Sequence, residues 1–360
     1  TMDIGHRKQL ARHGVYPCEA YAGLGASKEF AYLQAQFLRN LRGEKFQEWK
    51  EEFVGAYIKN LVMHEVGHTL GLRHNFKASA AVSFENLNDK NWSSTNQVNS
   101  SVMDYDDLNI AVDPEDQGKY MNDSLGAYDY LAIEYGYKPL DEKSEAEELE
   151  ALASSLREKG LEYATDEDLY FGSDPLTQVY DLGNDPVGSA KNRIEVIRRL
   201  LKSVESDMVT TGEPYFKFRR ILTSLLNEYY SKSRKVASLI GGIYSNRDHV
   251  KDPSGRLPYV AVEVDSQEKA MEYLRNFVFE EHIFDVPTSL LAKARTNPWD
   301  WGMNEPLAVD RFFYQVRASI LQDLMDLSLL RRIADFHETT QDNGMTLATL
   351  FEYLYSVRSE

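Results

Sequence analysis

Cysteine is nearly missing from this chain: Cys18 stands alone in 360 residues. No intrachain disulfide can form. That suits a cytosolic protein and equally a bacterial periplasmic or surface protein. No run approaches 18 apolar residues, so no transmembrane helix is expected. Basic charge is the minority sign, with 40 Lys and Arg against 57 Asp and Glu, net -17. Nucleic acid and anionic membrane, which need basic surface, are therefore not expected partners. The opening Thr-Met-Asp-Ile-Gly-His is not a signal peptide and lacks a methionine at position 1. It reads as the start of a piece of a longer or processed chain. No internal repeat is visible, and nothing speaks to oligomeric state.

What is present suits a globular protein with a real core: 42% of residues are hydrophobic and 27% charged. The length allows one large domain or two to three modest ones. The 22 tyrosines are read as packing residues.

One stretch carries chemistry. Residues 64 to 74 read His-Glu-Val-Gly-His-Thr-Leu-Gly-Leu-Arg-His. His64 and His68 are four apart, so on a helix they share one face about a turn apart. Two imidazoles so placed can bind one metal ion, and Glu65 between them can reach a metal-bound water. Gly71 lets the chain turn sharply at the helix end, and the turn returns His74 as a third ligand. Three neutral nitrogens and one open position describe a catalytic zinc site rather than a closed structural one. With 8 His and 21 Gly in 360 residues, the added Gly and third His arise by chance in roughly 1 of 770 cases. The pattern is specific.

Around this stretch the sequence predicts mostly helix. Residues 1 to 26 are irregular, and 27 to 42 carry an apolar helical face (Phe30, Leu33, Phe37, Leu38, Leu41). His6 and His13 are read as ordinary loop residues. A second helix runs from Glu44 to about Leu72 with the stripe Phe46, Trp49, Phe53, Tyr57, Leu61. His64 and His68 continue that stripe, which places the metal against the body of the protein. Residues 75 to 100 form a long polar loop. A helix over 128 to 137 closes at Gly136. After Pro139 an acidic run opens a helix ending at Gly160. Residues 161 to 189 are irregular. Helices follow near 190 to 209 and 214 to 240, then a hairpin across Asp252-Pro253-Ser254-Gly255. Further helices lie near 265 to 282, 306 to 321, 322 to 337 and 345 to 358. His249, His282 and His337 share no metal spacing.

The zinc motif is followed by Ser101-Val102-Met103-Asp104-Tyr105. The two together resemble the metzincin clan of zinc endopeptidases, whose long zinc signature precedes a methionine-containing turn. Met103 stands at the methionine that in that clan forms an apolar floor under the ligands. Ser-x-Met-x-Tyr is similar to the serralysin and astacin form. The resemblance implies that Tyr105 binds the metal or swings off it to stabilise the oxyanion. Tyr128 to Tyr137 is similar to the last helix of a metzincin catalytic domain, which implies that Asp129 braces the Met turn. Over 64 to 137 the chain most resembles the large bacterial Met-zincin zinc-dependent metalloproteases, in which a long helical region follows the catalytic part.

The resemblance implies one catalytic Zn2+ held by His64, His68 and His74. It implies Glu65 and Tyr105 as catalytic residues, with Gly71, Met103 and Asp129 in support. It also implies a peptide or protein substrate and an extracytoplasmic setting in a bacterium. The expected fold is mainly α. Residues 1 to 140 are expected to be the zinc-binding part of a metzincin-like catalytic domain, and 141 to 360 a helical region with a small hairpin. One departure matters: the twisted sheet that precedes the zinc helix in metzincins has no counterpart in the 63 residues before His64. It is expected to lie outside this chain, so the chain is expected to bind zinc yet cleave poorly. The expected function is a zinc endopeptidase in which Glu65 acts as general base on a metal-activated water. Two rivals stand beside it, a non-catalytic zinc-stabilised interaction module and zinc hydrolysis of an ester.

Overall fold

A computed structural model describes residues 46–209, 211–250, 252, 255–280, 283–299, 305–340 and 345–358. The expected loop over 1 to 26, with His6 and His13, and the expected helix over 27 to 42 lie outside these residues. Among the described residues the chain is mainly α, and its one sheet is a two-stranded hairpin. No described helix is long and apolar enough to cross a membrane. The chain forms two compact units, Thr1–Gly172 with Leu176–Asn192, and Ser173–Pro175 with Arg193–Glu360. The first unit thus runs past residue 140, where the change in composition placed a boundary.

The first unit is built on helix α1, Phe46–Thr69. Its inner line, Phe53, Tyr57 and Leu61, is half-buried and leads to the buried His64. The Phe53 ring meets the Tyr120 ring edge-on at 5.4 Å. A second apolar line, Val54, Ile58, Val62, Val66 and Leu70, repeats every four residues and stays 41 to 54% exposed. α1 is therefore apolar on two sides rather than on the single side that the stripe predicts. Such a helix suits a place between two layers of protein.

Past α1 the chain has little regular structure, yet residues 75 to 126 are fixed. Asn75 is fully buried. Its Oδ1 accepts from the Ala164 and Lys77 amides (3.2 and 3.3 Å), and its Nδ2 donates to the Glu162 carbonyl at 2.9 Å. Phe76 N–H donates to the Ala164 carbonyl at 2.7 Å. The polar stretch after it is no open loop. Val82, Leu87 and Val98 form a small core with Leu182, with Phe84 and Trp92 packed on it. Asp89 caps a short turn, Lys90–Ser93, by accepting from the Asn91 and Trp92 amides.

Helix α2 spans Ala127–Tyr137. Gly136 lies inside it and does not close it. The helix ends where Lys138 turns extended, φ -63° and ψ 125°, because the following Pro139 disfavours helical backbone before it. Helix α3, Glu145–Glu158, begins with Glu145, Glu147 and Glu148 at its positive end. Gly160 with φ 66° follows it. Within the stretch read as irregular lies helix α4, Asp166–Phe171, too short to show a period.

The second unit is read as the sequence predicts, with shifted ends. Helix α5, Pro186–Ser203, starts in the first unit and ends in the second on a π turn, Val204–Met208. Helix α6, Phe216–Ala237, buries Ile221, Leu222, Leu225, Leu226 and Tyr229 along one face. Strands β1 (Ile243–Ser245) and β2 (Tyr259–Ala261) pair antiparallel, Tyr244 opposite Val260. Helix α7 (Val264–Leu274) precedes a short α8 (Thr288–Lys293) that the sequence reading lacks. Helices α9 (Val309–Leu324), α10 (Leu327–Thr340) and α11 (Leu347–Arg358) complete the unit.

Asn75→Ala removes the partners of two buried amides and one carbonyl. It is expected to destabilise the protein by about 2–3 kcal/mol, read as a lower urea midpoint at unchanged slope.

Candidate metal centre

The site grows out of the end of α1. Gly71 takes φ +86°, open to glycine and costly for other residues. Leu72 N–H reaches back to the Gly67 carbonyl (3.1 Å) and Gly71 N–H to the His68 carbonyl (3.0 Å). This pair of bonds stops a helix and reverses its chain. The reversal carries His74 back over the helix. His64 and His74 are buried and His68 is half-buried. The rings of His64 and His68 lie 4.7 Å apart, and those of His68 and His74 4.8 Å apart. One ligand nitrogen from each of the three lies within 4.8 Å of the other two. Among the described residues no other three His, Cys, Asp or Glu side chains converge in this way.

Each ring is anchored at Nδ1. His64 Nδ1 donates to the Val102 carbonyl at 2.8 Å and His68 Nδ1 to the Leu72 carbonyl at 3.0 Å. His74 Nδ1 donates to the Asp166 carboxylate at 3.0 Å. These acceptors assign the protons to Nδ1 and leave each Nε2 lone pair for a ligand. His64 Nε2 is buried with no hydrogen-bond partner, a costly state for a polar atom unless a metal takes it. Burial, against the Val102 bond and with the neighbouring His68 and His74, lowers the His64 pKa to about 4. It is neutral at pH 7, as a ligand must be. The donor set fits zinc.

The family model described as Met-zincin matches residues 47–358. The chain belongs to that family. No curated protein and no solved structure matches it.

In this Met-zincin the turn around Met103 lies directly beneath the helix. Met103 is fully buried, and a Cβ on Gly67 would overlap its sulfur. Only glycine lets the helix backbone come this close. Met103 also accepts Asn75 N–H on its carbonyl at 3.0 Å, which ties the turn to the residue after His74. Asp129 braces the turn from α2. Its carboxylate accepts from Ser101 Oγ (2.6 Å), Val102 N–H (2.9 Å) and Gly126 N–H (2.8 Å). Burial pushes the Asp129 carboxyl up, and these three donors oppose the rise. Since Val102 in turn holds His64, the brace acts on a ligand through one residue.

Glu65 is half-buried on α1 between His64 and His68. Tyr105 places its hydroxyl 2.9 Å from His74 Nε2. Burial opposes ionisation of Asp166, but its hydrogen bonds from His74 and Thr165 hold its carboxyl below the usual value. Asp166 was not visible in the sequence reading: it lies 92 residues after His74, and a short acidic helix start gives no local signal. Tyr180, whose backbone N–H donates to the Tyr105 carbonyl at 2.7 Å, likewise has no local signal in the sequence. It takes φ +58°, the only non-glycine positive φ among the described residues, a conformation costing about 1–2 kcal/mol.

Beside the turn lies an acidic cluster. Asp104 is buried, and burial with the Asp181 and Asp106 charges pushes its carboxyl well up. Dense packing around Asp106, against a hydrogen bond from Asn99 and with the Asp181, Asp129 and Asp107 charges, pushes its carboxyl up to about 8.

Asp166→Ala is expected to weaken zinc binding about 10–100-fold, measured by competition with a chromogenic chelator. The cluster also sets a pH dependence. A raised carboxyl pKa means that the folded chain holds more protons than the unfolded chain between the ordinary value and about 8, so stability falls as pH rises there. The lowered His64 pKa acts oppositely, adding stability from about 4 up to its ordinary 6.5 and nothing further above. In the metal-free chain the thermal midpoint is therefore expected to fall from pH 6.5 to 8. Asp106→Asn should flatten that fall.

Proposed function

We propose that this Met-zincin is a zinc-dependent endopeptidase. The observation that carries the reading is the set of three Nδ1-anchored imidazoles, His64, His68 and His74, with a glutamate between the first two. Zinc held by these residues supplies Lewis-acid activation of water. Glu65 takes the proton of the attacking water and delivers it to the departing amine. Its place one residue after a ligand supports that role, since a purely structural metal site has no use for a base there. The Tyr105 hydroxyl donates to the carbonyl oxygen as it becomes negative. Met103 and Asp129 keep the ligands in register. The substrate is a peptide or protein, and the setting is outside the cytoplasm of a bacterium, in line with the family resemblance.

Two observations favour a second reading, zinc binding with little turnover by this stretch alone. The outer line of α1 from Val54 to Leu70 is exposed, and Val66 on it neighbours Glu65. In the first unit no described residue forms a strand that would hold an extended substrate beside the metal.

Glu65→Ala is expected to keep its zinc and lose hydrolysis about 10²–10⁴-fold. His68→Ala is expected to lose the metal. Metal analysis and a chelator-sensitive peptide-cleavage assay read both. Undiminished cleavage by Glu65→Ala would end the endopeptidase assignment. Zinc uptake without cleavage in the unaltered chain would establish the second reading.

A further inference from the structure

Tyr105 is held from a part of the chain that the motif does not include. Tyr180 donates its backbone N–H to the Tyr105 carbonyl at 2.7 Å. The two rings stack with centroids 6.0 Å apart and planes 20° from parallel. Tyr105 also meets the His74 ring at 4.7 Å, the Phe76 ring at 5.2 Å and the His64 ring at 5.4 Å. Its ring is therefore packed among four others, with the hydroxyl at His74 Nε2.

The segment that bears Tyr180 is itself pinned. Gln178 N–H donates to the Phe76 carbonyl at 2.9 Å, and Asn184 N–H to the Val82 carbonyl at 2.9 Å. Ser79 Oγ donates to the Asp181 carboxylate at 2.8 Å. Between these ties Tyr180 takes the left-handed conformation at φ +58°, shared there only with Gly183. Glycine or asparagine adopts it more readily than a bulky aromatic residue does. A tyrosine kept there against its backbone preference marks a place where the ring is wanted.

The geometry points to Tyr180 as a positioning residue that holds the Tyr105 hydroxyl against His74. Tyr180 acts through Tyr105 and need not touch substrate. The inference rests on the proposed catalytic part of Tyr105, but the placement it describes exists without metal. The two can therefore fail separately.

The test uses the full chain with ¹⁵N-labelled histidine, first stripped of metal by chelator. Tyr105→Phe gives the shift of the His74 ring nitrogen that marks loss of the phenol bond. Tyr180→Asn keeps a residue suited to positive φ and removes the ring. It is expected to move His74 to the Tyr105→Phe position without lowering the thermal midpoint. Tyr180→Phe keeps the stacked ring and is expected to hold His74 at its original position. In the zinc-loaded chain, Tyr180→Asn is expected to lower kcat about tenfold or more with KM nearly unchanged. The pair Tyr105→Phe with Tyr180→Asn should be no slower than Tyr105→Phe alone.

If His74 stays unmoved in Tyr180→Asn, or if the two losses multiply in the pair, Tyr180 does not position Tyr105. If the unaltered chain cleaves no peptide, the endopeptidase reading falls, and the His74 signal still decides Tyr180. Cobalt-loaded protein gives a third reading. Its visible spectrum should change alike in Tyr105→Phe and Tyr180→Asn, and a change in the first alone counts against the proposal.

Discussion

Each imidazole of the site is fixed through Nδ1, and that requirement organises the first unit. The three acceptors are the Leu72 carbonyl, the Val102 carbonyl and the Asp166 carboxylate. They come from three segments far apart in sequence. A histidine with a loose ring presents its Nε2 in many directions, whereas one bonded at Nδ1 presents it in one. Drawing these acceptors to one helix end forces the chain from 72 to 166 to fold around α1. Much of the irregular backbone between them is there to deliver Val102 and Asp166.

The deliveries are made by buried polar groups rather than by secondary structure. Asp129 receives three donors from the turn and from its own helix start. Asn75 joins the residue after His74 to the chain at 162 to 164. Buried hydrogen bonds of this kind contribute modestly when made and cost more when one partner is lost. They therefore set a unique arrangement more than they add bulk stability. The Met103 sulfur against Gly67 does the same by contact, since no side chain fits between them.

α1 serves two sides. Its inner line ends in the ligands, and its outer line from Val54 to Leu70 is bare. A helix that is apolar on two sides suits a place between layers of protein. The periodic stripe in the sequence points to a buried face and to the ligands on it, and this holds for His64. It does not disclose the second apolar line, because valine, isoleucine and leucine every four residues read as an ordinary run once a face has been chosen. Gly136 lies inside α2 rather than at its end for a related reason. Glycine next to a helix end is a frequent terminator, but here Pro139 acts through Lys138 and glycine is tolerated within the last turn.

The sequence by itself determined whatever is local. The spacing of His64 and His68 follows from helical geometry, and the reversal at Gly71 needs only its own φ. The methionine turn and the place of Asp129 near the start of α2 were legible because short motifs carry them. The tertiary structure alone decided which groups meet across long separations: Asp166 with His74, and Tyr180 with Tyr105. Such contacts leave no period and no spacing in the chain, because they form only when loops close around a core. The three converging histidines were therefore readable in advance, whereas the partners Asp166 and Tyr180 became visible only in the fold.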